Sequence, residues 1–457
     1  MIKIQINSRL VKPGDTFVAI KGSVVDGHNY VEDAIKNGAT TVVVSNKQKY
    51  SVKTIKVKNT SKYLKDYLVK KYSKEFKDLK IIGLTGTNGK TTTAYMTYQL
   101  LRKAGINAAY IGTIGFYYND EYEKTLNTTP DILSLYNILF KAKEHNCKIV
   151  IVEASSIGLK EGRMAGLKFQ TAVFTNLTHD HLDYHKTMRE YMIAKLILFR
   201  NLKKHGTAVV NTDNRYGKYF IVKRRTITYG FKDATIRCKK HDDSFSNFTY
   251  EYNGKLYDLH NPLFGKYNIY NAMAAIGILI SLGIDIETIN THYPTLEPPK
   301  GRINIIDYKT NKIIIDYAHT PDGMKQVLTS AAKLTTGKTY VVFGCPGNRD
   351  RAKRPLMSKM ANKYSDHFIL TNDDPHYEDE MQIINDALKG LESNKYDVII
   401  DRKKAISKGI KMLKENDTLL ILGKGHEDAI IIKDKQIPHN DEKYVKEVIE
   451  KLSNSIK

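Results

Sequence analysis

One stretch narrows the fold of this chain more than any other: Lys80-Ile81-Ile82-Gly83-Leu84-Thr85-Gly86-Thr87-Asn88-Gly89-Lys90-Thr91-Thr92-Thr93-Ala94. An apolar strand runs into a glycine-punctuated turn, Lys-Thr-Thr follows, and a helical pattern opens at Tyr95, Met96, Tyr98, Leu100 and Leu101. Glycines let backbone N–H groups curl around phosphate oxygens, and the helix N-terminus adds positive partial charge. Lys90 is expected to reach terminal phosphates, and the Thr91 hydroxyl suits Mg²⁺. Gly86, Thr87, Asn88, Gly89 and Thr92 complete a candidate ATP loop, tighter than the common GxxxxGK[ST] spacing.

The surrounding pattern repeats this logic. Lys148–Val152 is a continuous apolar strand ending at Glu153; Gln170–Phe174 ends at Thr175-Asn176, and Thr207–Val210 at Asn211-Thr212-Asp213. Apolar strands followed by polar residues predict a doubly wound parallel sheet with ligands at the strands' carboxyl ends. Pro130 with Asp131 opens a helix. Before this region, Thr16–Ile20 and Thr40–Val44 read as strands with a helix at Tyr30–Asn37 between them. After it, three of the 11 prolines fall within His292–Arg302, which reads as an interdomain linker. Ile303–Asp316 then reads as a hairpin around Thr310-Asn311. Strands at Tyr340–Phe343, His367–Leu370 and Thr418–Leu422 alternate with helices. The expected architecture is α/β in three domains. A small N-terminal α/β domain spans 1–77, a central P-loop ATPase-like domain 78–299, and a C-terminal Rossmann-like domain 300–457. At 457 residues the chain is too long for one ordinary core.

Composition excludes several classes. Hydrophobic content of 41% and charged content of 26% fit a soluble globular protein. No apolar run is long enough to span a membrane, and no signal-peptide core is present. The three cysteines, Cys147, Cys238 and Cys345, match no zinc spacing and no disulfide framework. A cytoplasmic location is expected. The net charge of +23 raises nucleic-acid binding. Its lysines are scattered, however, and no aromatic RNA-binding signature appears. The charge reads instead as a Lys-rich surface around sites for polyanionic small molecules.

Further constellations sit at strand ends. Glu153 beside a phosphate loop is well placed for Mg²⁺. Thr175–His185 packs three His and two Asp into a short loop, which points to metal, phosphate or acid–base work. Zinc fits that composition, but the neighbouring ATP loop argues for magnesium. Lys195 lies among apolar residues on one helix. It either snorkels to solvent or is a lysine of lowered pKa open to modification. Asp316–Asp322, Gly344–Pro355, Thr371–His376 and Gly423–Asp428 are four polar loops at four strand ends, which imply one shared cleft.

Taken together these residues resemble the Mur ligase family of ATP-dependent amide-bond synthetases, and within it the members that add the third residue. The resemblance covers nearly the whole chain, including Asn7–Ala19, Asp26-Gly27-His28, Asp180–His185 and Gly423–Glu427. It implies an acyl-phosphate mechanism in peptidoglycan precursor synthesis, with ATP and Mg²⁺ as cofactors. The partners it implies are a UDP-N-acetylmuramoyl dipeptide and a free diamino acid, and the protein is expected to be a monomer without nucleic acid. By position, Lys90, Lys195, His181 and Glu153 would be catalytic. Thr91, Glu153 and His181 would be magnesium-associated, and Lys195 would be carried as a carbamate. Asn268, Asn271, Arg302 and Asp316 match nucleotide-side positions. Ser8, Thr128, Thr129, Ser155 and Arg163 match positions that hold the UDP-sugar peptide, although Ile157 and Glu161 replace a common histidine and a common glutamine there.

Arg349, Asp373, Asp374, His376, Gly423 and Glu427 would meet the amino acid. Members that add meso-diaminopimelate typically read Asp-Asn-Pro-Arg where this chain has Asp373-Asp374-Pro375-His376. Their arginine pairs with the distal carboxylate. With His376 in its place and Asp373, Asp374, Glu378 and Asp379 nearby, a distal ammonium is expected, and hence L-lysine. Meso-diaminopimelate and ornithine stay open as acceptors. The residues also leave open a related ligase such as a folylpolyglutamate synthetase, and a nucleotide-binding protein without catalysis.

Overall fold

The computed structural model describes residues 2–22, 25–223, 225–334 and 336–454. Three sheets carry the architecture. The first is four-stranded and parallel, with Ile4–Gln5, Thr16–Val18, Thr41–Val44 and Lys53–Lys56 in chain order. Alternation decides its two faces. Phe17, Val42 and Val44 meet Val31 and Ala34 of the helix Val31–Lys36. Ile4, Val18 and Val43 join the apolar cluster of Leu64 and Leu68 from the helix Thr60–Tyr72.

The central sheet has eleven strands. Its parallel middle runs Ile236–His241, Thr226–Gly230, Leu202–Asn211, Phe169–Phe174, Lys80–Thr85, Ile149–Glu153 and Ala108–Gly112. Helices cover both faces. Ile82, Leu84, Val173 and Val209 pack towards the helices Lys90–Lys103 and Lys266–Ser281. Val150, Val152, Ala172 and Phe174 pack towards the helices Ile132–Glu144 and Met188–Arg200. This is the expected doubly wound arrangement, and Asp131 caps the helix predicted at Pro130 by accepting from the N–H groups of Leu133 and Ser134.

The strict strand–helix alternation expected through residue 299 does not hold at the sheet's edges. Gly115–Tyr118 and Glu121–Glu123 extend one edge as an antiparallel meander, and Asn247–Tyr252 and Lys255–His260 extend the other. Burial of Phe248 and Tyr250, with the residues between them more exposed, is the period of a half-covered antiparallel strand. The third sheet is ordered Asn304–Tyr308, Asn311–Asp316, Thr418–Leu422, Thr339–Gly344, His367–Thr371, Tyr396–Val398. Its first pair is the expected antiparallel hairpin and the remaining pairings are parallel. Cys147, Cys238 and Cys345 are buried free thiols. Among the described residues no helix is long and apolar enough to cross a membrane.

Candidate active site

The carboxyl ends of the central and third sheets face one another across a cleft of about 660 Å³. The phosphate loop forms one wall. Gly89 caps the following helix with φ +85°, and a Cβ there would lie 2.4 Å from Asn271 Oδ1, so the position admits only glycine without displacement. A Cβ on Gly86 would lie 1.8 Å from Thr175 Oγ1. Asn176 and Thr175 brace the loop: Asn88 N–H donates to Asn176 Oδ1 at 2.9 Å, and Thr175 Oγ1 donates to the Asn88 carbonyl at 2.6 Å. Thr92 is buried in the first helical turn. Lys90 Nζ donates to the Gly86 and Thr87 carbonyls at 2.9 Å each, and burial lowers its pKa.

Glu153 is fully buried beneath this loop. One carboxylate oxygen accepts from Tyr110 OH and, at 3.0 Å, from the Thr113 N–H; the other accepts from the hydroxyls of Thr91 at 3.0 Å and Thr113 at 3.2 Å. Thr91 therefore gives its proton to Glu153 and keeps its lone pairs for the cleft. Arg302 Nη2 lies 3.5 Å from Thr91 Oγ1, its guanidinium stacks on Tyr317 with Cζ 4.5 Å from the ring centre, and its Nε is buried without a partner. A buried guanidinium donor facing a phosphate loop suits an anion. Asp316, whose pKa burial raises, is held by the N–H groups of Ile303 and Ala318. On the other side of the loop, Asn271 Nδ2 donates to Asn268 Oδ1 at 2.8 Å.

The histidine-rich loop does not gather into a metal centre. His185 is buried, with Nε2 2.9 Å from Ser156 Oγ and a pKa pushed down by burial to about 4. His179 Nε2 meets Asp350 Oδ2 at 2.9 Å. His181, in left-handed backbone at φ +53°, faces the cleft with Nε2 3.4 Å from Asp180 Oδ2; burial lowers its pKa more than Asp180 raises it. Burial alone would raise the pKa of Asp180, but His181, Lys353, His319 and Lys90 hold its carboxyl well below the usual range. Asp180, Lys353 and His319 also line the cleft, and the sequence singles out none of them as a site residue. The signal available for Asp180 is its place between two histidines in the Asp180–His185 motif. Lys353, a cation of the Gly344–Pro355 loop expected at the cleft, reaches Asp180 Oδ1 at 3.6 Å from the third sheet's side.

Lys195 is 1% exposed, so it does not snorkel. Its Nζ donates to the Gly86 carbonyl at 2.8 Å and lies 4.3 Å from the centre of the Tyr191 ring. Burial, then the nearby Lys90 charge, push its pKa well below the ordinary lysine value. Thr128, Thr129, Ser155 and Arg163 form a shelf along the cleft. Thr129 Oγ1 donates to Ser155 Oγ at 3.0 Å, and Arg163 Nη1 donates to the Thr129 carbonyl at 2.8 Å. Glu161 pins the Arg163 guanidinium at 2.7 Å. Ser8 stands apart: it is buried in the short helix Ser8–Leu10 of the first unit and does not line the cleft.

The far wall shows that the acidic residues expected near a distal ammonium already have partners. Of the four acidic residues expected to await a distal ammonium, Asp374 receives Lys424 Nζ at 2.7 Å. Glu378 is paired with Arg354 at 3.0 Å and Arg351 at 2.9 Å. Asp379 caps the helix Glu380–Leu388 by accepting from the Gln382 N–H. Asp373, Asp374 and Glu427 have oxygens within 4.8 Å of one another, a grouping of metal-ligand type, but Lys424 sits among them, 2.6 Å from Glu427. Burial raises the pKa of Asp373 and of Glu427. Gly423, at φ +110°, brings its backbone against Asp373, where a Cβ would lie 2.6 Å from Oδ2. Burial lowers the pKa of His376, so its imidazole is neutral near pH 7. Arg349 lines the cleft, exposed and without a hydrogen bond or ion pair among the described residues.

Sequence profiles agree with this layout. The Mur ligase family catalytic domain matches residues 3–73, the Mur ligase middle domain 84–279, and the Mur ligase glutamate ligase domain 301–425. A UDP-N-acetylmuramoyl-L-alanyl-D-glutamate--2,6-diaminopimelate ligase of Clostridium botulinum is 40% identical over 99% of this chain and 95% of its own length. This chain belongs to the Mur ligase family. The ligase of the same name from Aquifex aeolicus is 41% identical over 98% of this chain and 93% of its own. Among solved structures, a ligase of that name superposes with a TM-score of 0.65 at 29% identity, covering 99% of this chain and 95% of the other. The MurF ligase of Thermotoga maritima in complex with ADP shares the Mur ligase fold, with a TM-score of 0.72 at 19% identity over 99% and 98% of the two chains.

Proposed function

We propose that this chain is an ATP-dependent ligase that joins 2,6-diaminopimelate to UDP-N-acetylmuramoyl-L-alanyl-D-glutamate. The observation that carries the reading is the single cleft in which a phosphate loop faces an unpaired arginine and a carboxylate cluster across a polar shelf. In this reading residues 1–77 and the shelf of Thr128, Thr129, Ser155 and Arg163 hold the UDP-sugar peptide. Residues 78–299 hold ATP, and 300–457 bring the amino acid.

The loop amides and Lys90 hold the ATP phosphates, with Arg302 on the γ side and Asn268 and Asn271 behind. The glutamyl carboxylate oxygen forms a bond to the γ-phosphorus as the bond to the β-phosphate oxygen breaks, giving an acyl phosphate and ADP. The neutral amine then bonds to the acyl carbon and gives up a proton. The carbon–oxygen bond to phosphate breaks last. The protein's part is positioning and charge neutralisation. The residues fit magnesium: the Thr91 hydroxyl keeps a lone pair beside the long Arg302 contact, and the ionised Asp180 also lines the cleft. Direct ligation by Glu153 requires the Thr91 or Thr113 hydroxyl to turn away, because all its acceptor positions are in use. A bound Mg²⁺ would neutralise phosphate charge there. Burial lowers the pKa of Lys195 and so favours the neutral amine, the form that adds CO₂ with loss of a proton; the resulting carbamate would present an anion beneath the loop.

The distal end of diaminopimelate carries both an ammonium and a carboxylate. Arg349, without a hydrogen bond or ion pair among the described residues, is placed for the carboxylate; Glu427 and Asp373 can accept from the ammonium only as they share Lys424 with it. Neutral His376 adds a hydrogen bond rather than a charge. L-lysine would leave Arg349 unpaired, and the names of the relatives also favour diaminopimelate. Phosphate release from ATP tests the reading, using UDP-N-acetylmuramoyl-L-Ala-D-Glu with meso-diaminopimelate, L-lysine or L-ornithine. Release that requires the dipeptide and prefers diaminopimelate is expected. Preference for L-lysine overturns the choice of amino acid, and no release with any of the three overturns the ligase.

A further inference from the structure

The segment Arg215-Tyr216-Gly217-Lys218-Tyr219-Phe220-Ile221-Val222-Lys223-Arg224-Arg225 contains no acidic residue. It leaves the cleft at the carboxyl end of strand Leu202–Asn211 and returns to the amino ends of the central strands, where strand Thr226–Gly230 begins. Phe220 anchors it by stacking on Phe174, with ring centres 3.9 Å apart. Beyond that anchor it faces outward: Tyr219 is 51% and Ile221 43% exposed, and Lys218 and Lys223 are exposed beside them.

Two sets of contacts join this segment to a second feature. Arg225 Nη1 donates to the carbonyls of Lys203, Lys204 and Gly206 at 2.8–3.0 Å. Lys203 Nζ in turn donates to the carbonyls of Lys77 and Leu79 at 3.0 and 3.1 Å. These residues border a second cavity of about 340 Å³ at the amino-terminal ends of the central strands. Lys77, Lys168, Lys203 and Lys204 line it, while Phe76, Leu167 and Leu202 supply apolar lining. Among the described residues no carboxylate lines the cavity; Asp78, whose charge acts on Lys203, and Glu75 are its acidic neighbours.

We propose that this end of the central sheet docks on an anionic lipid bilayer surface. Clustered lysines and arginines are drawn to anionic headgroups at about 1 kcal/mol each near the surface. Tyrosine and isoleucine side chains gain further by entering the headgroup–acyl boundary. An apolar cavity rimmed by lysines matches a lipid phosphate attached to the start of its hydrocarbon. A nucleic-acid backbone would use the cations but offers nothing that rewards burying Ile221. The cleft opens at the opposite ends of the same strands, so a docked molecule keeps its site accessible. The +23 charge, read from the sequence as general, includes at these strand ends four lysines that line a cavity together with Phe76, Leu167 and Leu202.

Sedimentation of the full chain with vesicles tests this. Phosphatidylcholine vesicles with added phosphatidylglycerol should bind the protein in low salt, and pure phosphatidylcholine vesicles should not. Combining Lys77→Glu, Lys204→Glu and Lys223→Glu should cut partitioning by at least about tenfold. Tyr219→Ser with Ile221→Ser should cut it several-fold at unchanged charge. An equal charge reversal elsewhere, Lys404→Glu with Lys411→Glu and Lys443→Glu, should leave most of the binding. Thermal unfolding of each variant confirms that it folds. Equal binding to neutral vesicles overturns the proposal, as does an equal loss in the control variant. Tighter binding to duplex DNA through the same three lysines also overturns it, by making the patch a nucleic-acid site.

Discussion

Gly86 offers one carbonyl to the Nζ atoms of both Lys90 and Lys195, at 2.9 and 2.8 Å. Burial, and after it the charge of Lys90, lowers the pKa of Lys195, which makes it chemically different from the exposed lysines of the chain. Lys195→Gln is expected to abolish most phosphate release while shifting Tm by only a few degrees. Labelled bicarbonate should give a carbamate carbonyl NMR signal in the native chain and none in this variant. Gly89→Ala combines a positive φ costing about 1 kcal/mol with a clash against Asn271. Nucleotide affinity should fall at least about tenfold, measured by calorimetric titration with ADP. Arg349→Ala should raise KM for diaminopimelate about tenfold or more and leave KM for ATP unchanged. Much of this wall is legible in the sequence: Lys90, Thr91, Glu153 and His181 converge as their positions imply. The partners of the acidic cluster are not legible locally because they lie far along the chain, Lys424 being 50 residues from Asp374 and Arg354 24 from Glu378. Charge counted over a short window overlooks neutralisation supplied by folding.

The buried pair Arg402–Asp441 shows how elements are fastened at this end of the molecule. Both side chains are inaccessible, 2.7 Å apart, and join the helix Arg402–Met412 to the helix Asp441–Asn454; Arg402 Nη2 also donates to the Leu422 carbonyl at the end of a central strand of the third sheet. Arg402→Met strands a buried carboxylate and should cost about 3–5 kcal/mol in denaturant unfolding. Burial alone would raise the pKa of Asp441, yet Arg402 and His439 hold it well below the usual range. A depressed folded-state value means that the pair's stabilisation is fully present above about pH 4, the unfolded value, and is lost as pH falls towards the folded one. Acid unfolding of Arg402→Met should therefore show a shallower pH dependence than the native chain. Strand edges are the least legible elements. The alternation in Asn247–Tyr252 is plain in the sequence, but an expectation of continued strand–helix alternation passes over it.

At the scale of the molecule, the third unit meets the central one through polar contacts around the cleft and through apolar packing that joins Leu263 and Phe264 to the same cluster as Ile303, Ala318 and Val327. Asn88 Nδ2 donates to Asp322 at 3.0 Å, Lys353 faces Asp180, and His179 meets Asp350. Behind them, Gln99 brackets the linker, donating to the Glu297 carbonyl at 2.8 Å and accepting from its N–H at 3.0 Å. Such polar contacts are each worth about 1 kcal/mol. His179→Ala should raise KM for the amino acid a few-fold with kcat little changed, and solution scattering should show a larger radius of gyration. A collapse of kcat at constant KM would place His179 in the chemistry instead. The three thiols provide a way to time such openings. Cys147 and Cys238 lie towards opposite sides of the eleven-stranded sheet, and Cys345 lies beside the cleft in the third unit. Burial pushes Cys238 to about 11 and Cys345 to about 12, so neither reacts while covered. The order in which a sulfhydryl reagent consumes them is a clock of which part of the protein breathes first.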